Sequence, residues 1–245
     1  MSVVTEGRGP YGMELPAEPA GHEARPTSPW PIGSRAGLEP AGELRDAFGQ
    51  GLLAVCREEP RVVVLDGDLG YSTRASLVRK EFPDRFFNVG IAEANMVGIA
   101  AGLAASGYIP FVTSLGSFLF CNAFDQMRLQ VAISKENVKF GGSHSGISTN
   151  REGPTAMGIE DYALPAALGF VVLAPCDATS MIKAVRAAVL HPGPVYVRSS
   201  REPHPHIYSQ DHCPFEIGRA NLLREGRDVT LVGCGLMVPV CLDAA

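Results

Sequence analysis

The chain has 245 residues, 46% of them hydrophobic and 19% charged, with a formal net charge of −5 and a pI near 5.7. That length and apolar content supply a large core and exclude a chain disordered throughout. The acidic balance excludes a surface built for nucleic acid or anionic membrane, but it leaves room for a small basic site that grips a phosphate.

Residues 1–40 are rich in Pro and Gly, lack helical or strand periodicity, and read as a flexible arm, the alternative being that Trp30 and its neighbours pack on a partner chain. No charged start followed by an apolar run marks a signal peptide, and no stretch approaches the roughly 18 unbroken apolar residues of a membrane span. The six cysteines, Cys56, Cys121, Cys176, Cys213, Cys234 and Cys241, form no C-x-x-C pair and no Cys/His cluster at zinc spacing, which reads as reduced thiols. A cytoplasmic protein is expected.

From residue 42 onward amphipathic and β-rich segments alternate. Helix is predicted over 44–57, a buried strand over 61–65, and a small-residue helix over 92–105. Further strands are predicted over 108–113, 138–141, 170–174 and 195–198, with helices over 122–133 and 178–190 between them. The pattern implies an α/β fold, a mostly parallel sheet with helices on both faces. Beyond residue 208 a polar linker leads to a predicted strand at 228–233 and a helix from 236. A single βα unit cannot bury its own apolar face, so 209–245 reads as a linker and the start of a truncated second domain.

In parallel sheets, sites form at the carboxyl ends of strands, and polar residues gather there. Asp66-Gly67-Asp68 follows the first strand, Ser143-His144-Ser145 and Asn150-Arg151-Glu152 follow the one ending at Gly141, and Arg198 and Arg201 follow the last. Glu93 opens a helix whose next turns are Gly, Ala and Met; alone it would be a first-turn acid favoured by the helix dipole.

The segment FFNVGIAEANMVGIAAGLAASGYIPFVTSLGSF around Glu93 resembles the pyrimidine-binding domain of transketolases, and the resemblance continues to about residue 208. The tail RANLLREGRDVTLVGCGLMVP is similar to the opening of the same family's C-terminal domain, whereas 1–40 are not covered. The resemblance implies a pyrimidine-binding domain over 41–208 and thiamine diphosphate as cofactor. It further implies a separate diphosphate-binding subunit that carries the Mg²⁺, and an α2β2 assembly.

Within that resemblance Glu93 is the catalytic carboxylate. Bonded to N1′ of the aminopyrimidine it favours the imino form, whose nitrogen removes the thiazolium C2 proton and gives the ylid. Phe118 and Phe124, in SFLFCNAFDQ, match ring-stacking positions, and Asp68 would sit near the cofactor at the subunit interface. Asp66-Gly67-Asp68-Leu69 is not the metal motif, which needs Gly after the Asp; no metal ligand is assigned to this chain. Arg45, Ser72, His144 and Arg201 align with ligands of the substrate phosphate, and a guanidinium pair suits a phosphomonoester.

One loop departs from the family pattern. Where relatives carry GEDGxTHQ, Glu152 supplies the substrate-binding acid and Ala156 replaces the histidine, which removes a hydrogen-bonding and proton-moving group. His204, His206 or the partner chain would substitute, or the donor is unusual. The implied activity is transfer of a two-carbon ketol unit between phosphorylated sugars. Two alternatives stand beside it: a decarboxylating enzyme acting on 2-oxo acids, like deoxyxylulose-phosphate synthase or a dehydrogenase β subunit, and a non-catalytic regulatory subunit.

Overall fold

The computed structural model describes residues 32–209 and 212–245, so most of the Pro/Gly-rich arm, including Trp30, lies outside the described residues. In chain order the elements are α1 Leu44–Glu58, β1 Val62–Asp66, α2 Gly70–Thr73, α3 Ser76–Glu81, β2 Phe86–Asn88, α4 Glu93–Ala105 and β3 Ile109–Leu115. There follow α5 Gly116–Gln126, β4 Lys139–Ser143, α6 Ala163–Ala167, β5 Val171–Leu173, α7 Ala178–Leu190, β6 Val195–Arg198 and α8 Met237–Ala244.

The six strands form one parallel sheet in the order β2-β1-β3-β4-β6-β5, which is the α/β class the sequence implies. Strand side chains alternate between faces, so Val62 and Val64 enter one core with Phe111, Val195 and Val197, while Val63 and Leu65 enter the other with Val112 and Tyr196. On the first face α1 buries Leu44, Phe48, Leu52 and Val55, a helical stripe, against Met181, Ala184 and Val185 of α7. On the second, α4 and α5 bring Met96, Val97, Ala100, Leu119 and Phe120. Each large apolar side chain fully withdrawn from water contributes roughly 1.5–3 kcal/mol.

Two glycines of β4 let these layers close. A Cβ on Gly141 would lie 2.3 Å from the Phe48 ring, and one on Gly142 would lie 2.5 Å from the Tyr196 ring. At the opposite end of that strand Lys139 is fully buried, and its ammonium donates to Asn137 Oδ1 at 2.6 Å, the His191 carbonyl at 2.7 Å and the Gly193 carbonyl at 2.5 Å.

Two expectations are corrected. The helix expected over 122–133 begins earlier, at Gly116, and beyond Gln126 it loosens into a π-helix over Met127–Ala132. Gly, Ser and Phe in its first turn are weak helix formers, and burial against the sheet overrides that preference. No strand forms over 228–233: Val229, Leu231 and Val232 are exposed in irregular chain. Strand propensity reflects a pleated surface that has neighbours, and this segment pairs with none among the described residues. The helix after it does form, and Asp243 accepts from the Gly33 and Ala36 amides at 2.6 and 3.0 Å.

Candidate active site at the carboxyl ends of the strands

The sheet order reverses at β1: the chain leaves β1 for β2 on one side and returns to β3 on the other. Such a reversal opens a crevice outside the carboxyl ends of β1 and β3. Glu93, first residue of α4, projects there from the β2–α4 turn and is only 4% exposed. Ser114, near the end of β3, reaches its Oε1 at 3.4 Å, and Asn122 Nδ2 on α5 reaches its Oε2 at 3.5 Å. Both distances are at the long limit of hydrogen bonding, so a buried carboxylate is held without being saturated.

Asp68 stands two residues past the end of β1 in the left-handed conformation, φ 65°. Asn88 Nδ2 donates to its Oδ1 at 2.9 Å, and Asn88 Oδ1 accepts from the Gly90 amide at 2.8 Å, a chain of contacts leading into the turn that carries Glu93. Next to it Asp66 is buried, accepts from the Leu69 amide at 3.3 Å, and has its pKa raised by desolvation. Phe118 and Phe124 are both half-buried on α5. Phe118 lies one helical turn before Asn122 and so shares its face, whereas non-helical Ala123 (φ −129°, ψ 17°) breaks the register before Phe124.

The residues aligned with a phosphate site also converge. The Arg45 guanidinium donates to the Ser72 carbonyl at 3.3 Å, which joins α1 to α2. His144, buried at φ 57°, shares a 2.9 Å bond between Nδ1 and Ser143 Oγ, and its Nε2 lies 3.9 Å from Glu152 Oε1. The same Glu152 oxygen accepts from Arg201 at 2.8 Å. Burial is the main cause that lowers the His144 pKa; Glu152 opposes it, and the charges of Arg45 and Arg201 add to it. The ring therefore stands neutral near pH 7, with Nδ1 assigned as acceptor from its serine partner.

Several site residues escaped the sequence reading. Ser114 and Asn122 hold Glu93; Glu43 bonds Arg45 and approaches Arg74, which also pairs with Asp46. Their short polar side chains carry no spacing signal, though Ser114 lies at a strand end, where a search for polar residues finds it. Asp161 is likewise unmarked in sequence, yet it is fully buried and takes bonds at 2.9 Å from both Tyr196 and Arg198. Ala156 is buried, and its carbonyl accepts from Ser117 at 2.9 Å. His204 is enclosed and bonded to Ser200 and the Glu202 carbonyl, and His206 lines a cavity beside α7 with Thr179 and Lys183.

Residues 42–205 match the transketolase pyrimidine binding domain. The chain belongs to the transketolase family. Among its transketolase relatives, a putative transketolase C-terminal section of Methanocaldococcus jannaschii is 39% identical over 82% of this chain and 64% of that protein. The 6-deoxy-6-sulfo-D-fructose transketolase subunit SqwH of a Clostridium species is 40% identical over 82% of this chain and 63% of its own length. A solved split-gene transketolase, described as an inactive β4 tetramer, superposes with a TM-score of 0.76 at 40% identity, covering 84% of this chain and 66% of that one. The chain thus spans just under two thirds of the length of those two curated relatives. Transketolases use thiamine diphosphate, and the crevice suits its pyrimidine: a buried carboxylate with long contacts for a ring nitrogen, and half-buried Phe118 on the helix face that carries Asn122.

Proposed function

We propose that this chain is the pyrimidine-binding subunit of a transketolase-like enzyme that moves a two-carbon ketol unit between sugars ending in a tetrahedral anion. The observation that carries this reading is Glu93: 4% exposed, beside a topological switch point, with two partners among the described residues, at 3.4 and 3.5 Å. The transketolase names of its relatives favour ketol transfer over the oxo-acid and regulatory alternatives.

Bound thiamine diphosphate would supply the electron sink for carbon–carbon cleavage. This chain's part is to place and protonate. Glu93 holds a proton shared with the aminopyrimidine, Ser114 and Asn122 keep its carboxylate aimed, and Phe118 and Phe124 keep water from the ring. Asp68 stands on the side where the second subunit would close the crevice. Arg45, Ser72, His144 and Arg201 would hold the substrate's anionic end, and Glu152 would orient its hydroxyls. Mg²⁺ and the diphosphate belong to the separate subunit, which makes the working unit an α2β2 assembly in the cytoplasm.

Glu93→Gln, purified with its diphosphate-binding partner and cofactor, is expected to lose at least a hundredfold in turnover while melting at the wild-type temperature. Equal turnover with the amide would sink the activating role. The chain by itself is expected to be inactive, as the name of the solved β4 tetramer records for that protein, and to gain activity when titrated with the partner.

A further inference from the structure

The anion pocket carries an unusual charge balance. Arg45 is already bonded to Glu43, and Arg201 is bonded to Glu152 at 2.8 Å. A third guanidinium, Arg74, pairs with Asp46 and stands 3.8 Å from Glu43. Among the described residues three guanidiniums thus face three carboxylates, with His144 neutral among them. Glu43 is fixed in this ring by its place: it immediately precedes α1 and forms an antiparallel bridge with Pro203, two residues after Arg201. The hydrogen bond from Arg45 is the main cause that holds its carboxyl below the usual range; burial opposes it, and the charges of Arg45, Arg74 and Arg201 reinforce it.

We propose that Glu43 tunes this pocket to a singly charged tetrahedral group, a terminal sulfonate, in preference to the doubly charged phosphate of a sugar phosphate. The inference deepens the ketol-transfer reading and rests on it for the ketose part of the substrate. A sulfonate presents three acceptor oxygens to the guanidiniums, as a phosphate does, but carries one negative charge, whereas a phosphomonoester carries about −1.5 to −2 at neutral pH. A pocket already neutral in itself offers the extra charge no net attraction, and Glu43 and Glu152 repel it. One further charge about 5 Å from a carboxylate, in a partly solvated site, changes affinity on the order of tenfold.

The test is calorimetric titration of the complex of this chain with its diphosphate-binding partner and cofactor, using 6-deoxy-6-sulfofructose and fructose 6-phosphate as probes. Wild type is expected to bind the sulfonate more tightly. Glu43→Gln is expected to move the affinity ratio roughly tenfold toward the phosphate, and Glu43→Asp, which keeps the charge, to leave it near wild type. A merely structural role for Glu43 would weaken both probes together and leave the ratio alone. Wild-type preference for the phosphate, a ratio unmoved by Glu43→Gln, or binding of neither probe overturns the inference. If the probes bind in the expected order but no ketol unit reaches an aldehyde acceptor, the ketol-transfer reading fails and the charge selectivity stands.

Discussion

At the scale of single residues, the site depends on groups withdrawn from water and given few partners. Glu93 and His144 are both buried, yet one keeps two long contacts and the other lies beside a carboxylate 3.9 Å away. Because the folded-state pKa of His144 lies below its unfolded value of about 6.5, the unfolded chain takes up a proton first as pH falls. His144 therefore contributes stability that is present above about pH 6.5 and lost as pH drops toward the lowered folded value. His144→Asn, a residue that tolerates positive φ, is expected to flatten the fall of melting temperature between pH 7 and pH 5. Parallel melting curves for the two proteins across that range would contradict the assignment. Glu93 and the residues aligned with a phosphate site were singled out by a motif, but their partners were not, since Ser114, Asn122 and Glu43 reach them across 21, 29 and 2 positions with no spacing signature.

At the scale of elements, termini decide more than propensities. Helix α7 begins with a full capping box: Asp177 Oδ1 accepts from the Ser180 amide at 2.8 Å, and Ser180 Oγ accepts from the Asp177 amide at 3.1 Å. The other oxygen of Asp177 accepts from the Ile207 and Tyr208 amides at 3.0 and 2.8 Å, so one carboxylate caps a helix and pins the segment that leaves β6. Asp177→Ala removes a cap worth about 1 kcal/mol and strands two further amides at about 1 kcal/mol each. A loss of roughly 3 kcal/mol is expected from urea denaturation, with hydrogen exchange of the Ile207 and Tyr208 amides accelerated. A loss below 1 kcal/mol would show that the 206–208 segment holds itself. The π-helix over Met127–Ala132 follows the aromatic segment of α5, a device that sequence periodicity cannot reveal because the apolar residues still recur at near-helical spacing.

At the scale of the whole molecule, the two ends of the sheet do different work. The carboxyl ends carry the candidate chemistry, while the amino end of β4 is closed by Lys139. Burial pulls that amine down to about 7, while three acceptors at 2.5–2.7 Å, one for each ammonium proton, favour its charged form. Lys139→Met would strip the donor from the His191 and Gly193 carbonyls and leave Asn137 Oδ1 with the Gly193 amide alone, with an expected loss of about 2 kcal/mol in unfolding free energy. Wild-type stability in the variant would mean that water replaces the ammonium without cost.

The α/β class, the helices of residues 44–58 and 178–190, and the buried strands were determined by hydrophobic periodicity, a local property that the chain order carries directly. The family motif likewise marked Glu93, Asp68 and the residues proposed to hold an anion. Tertiary structure alone decided that 228–233 stays out of the sheet, since a strand exists only with a neighbour to pair with. It also decided that β1 is the switch point beside which Glu93 lies, and that the guanidiniums marked for an anion already hold carboxylates. Those are relations between residues distant in sequence, and only packing brings their charges close enough to act on one another.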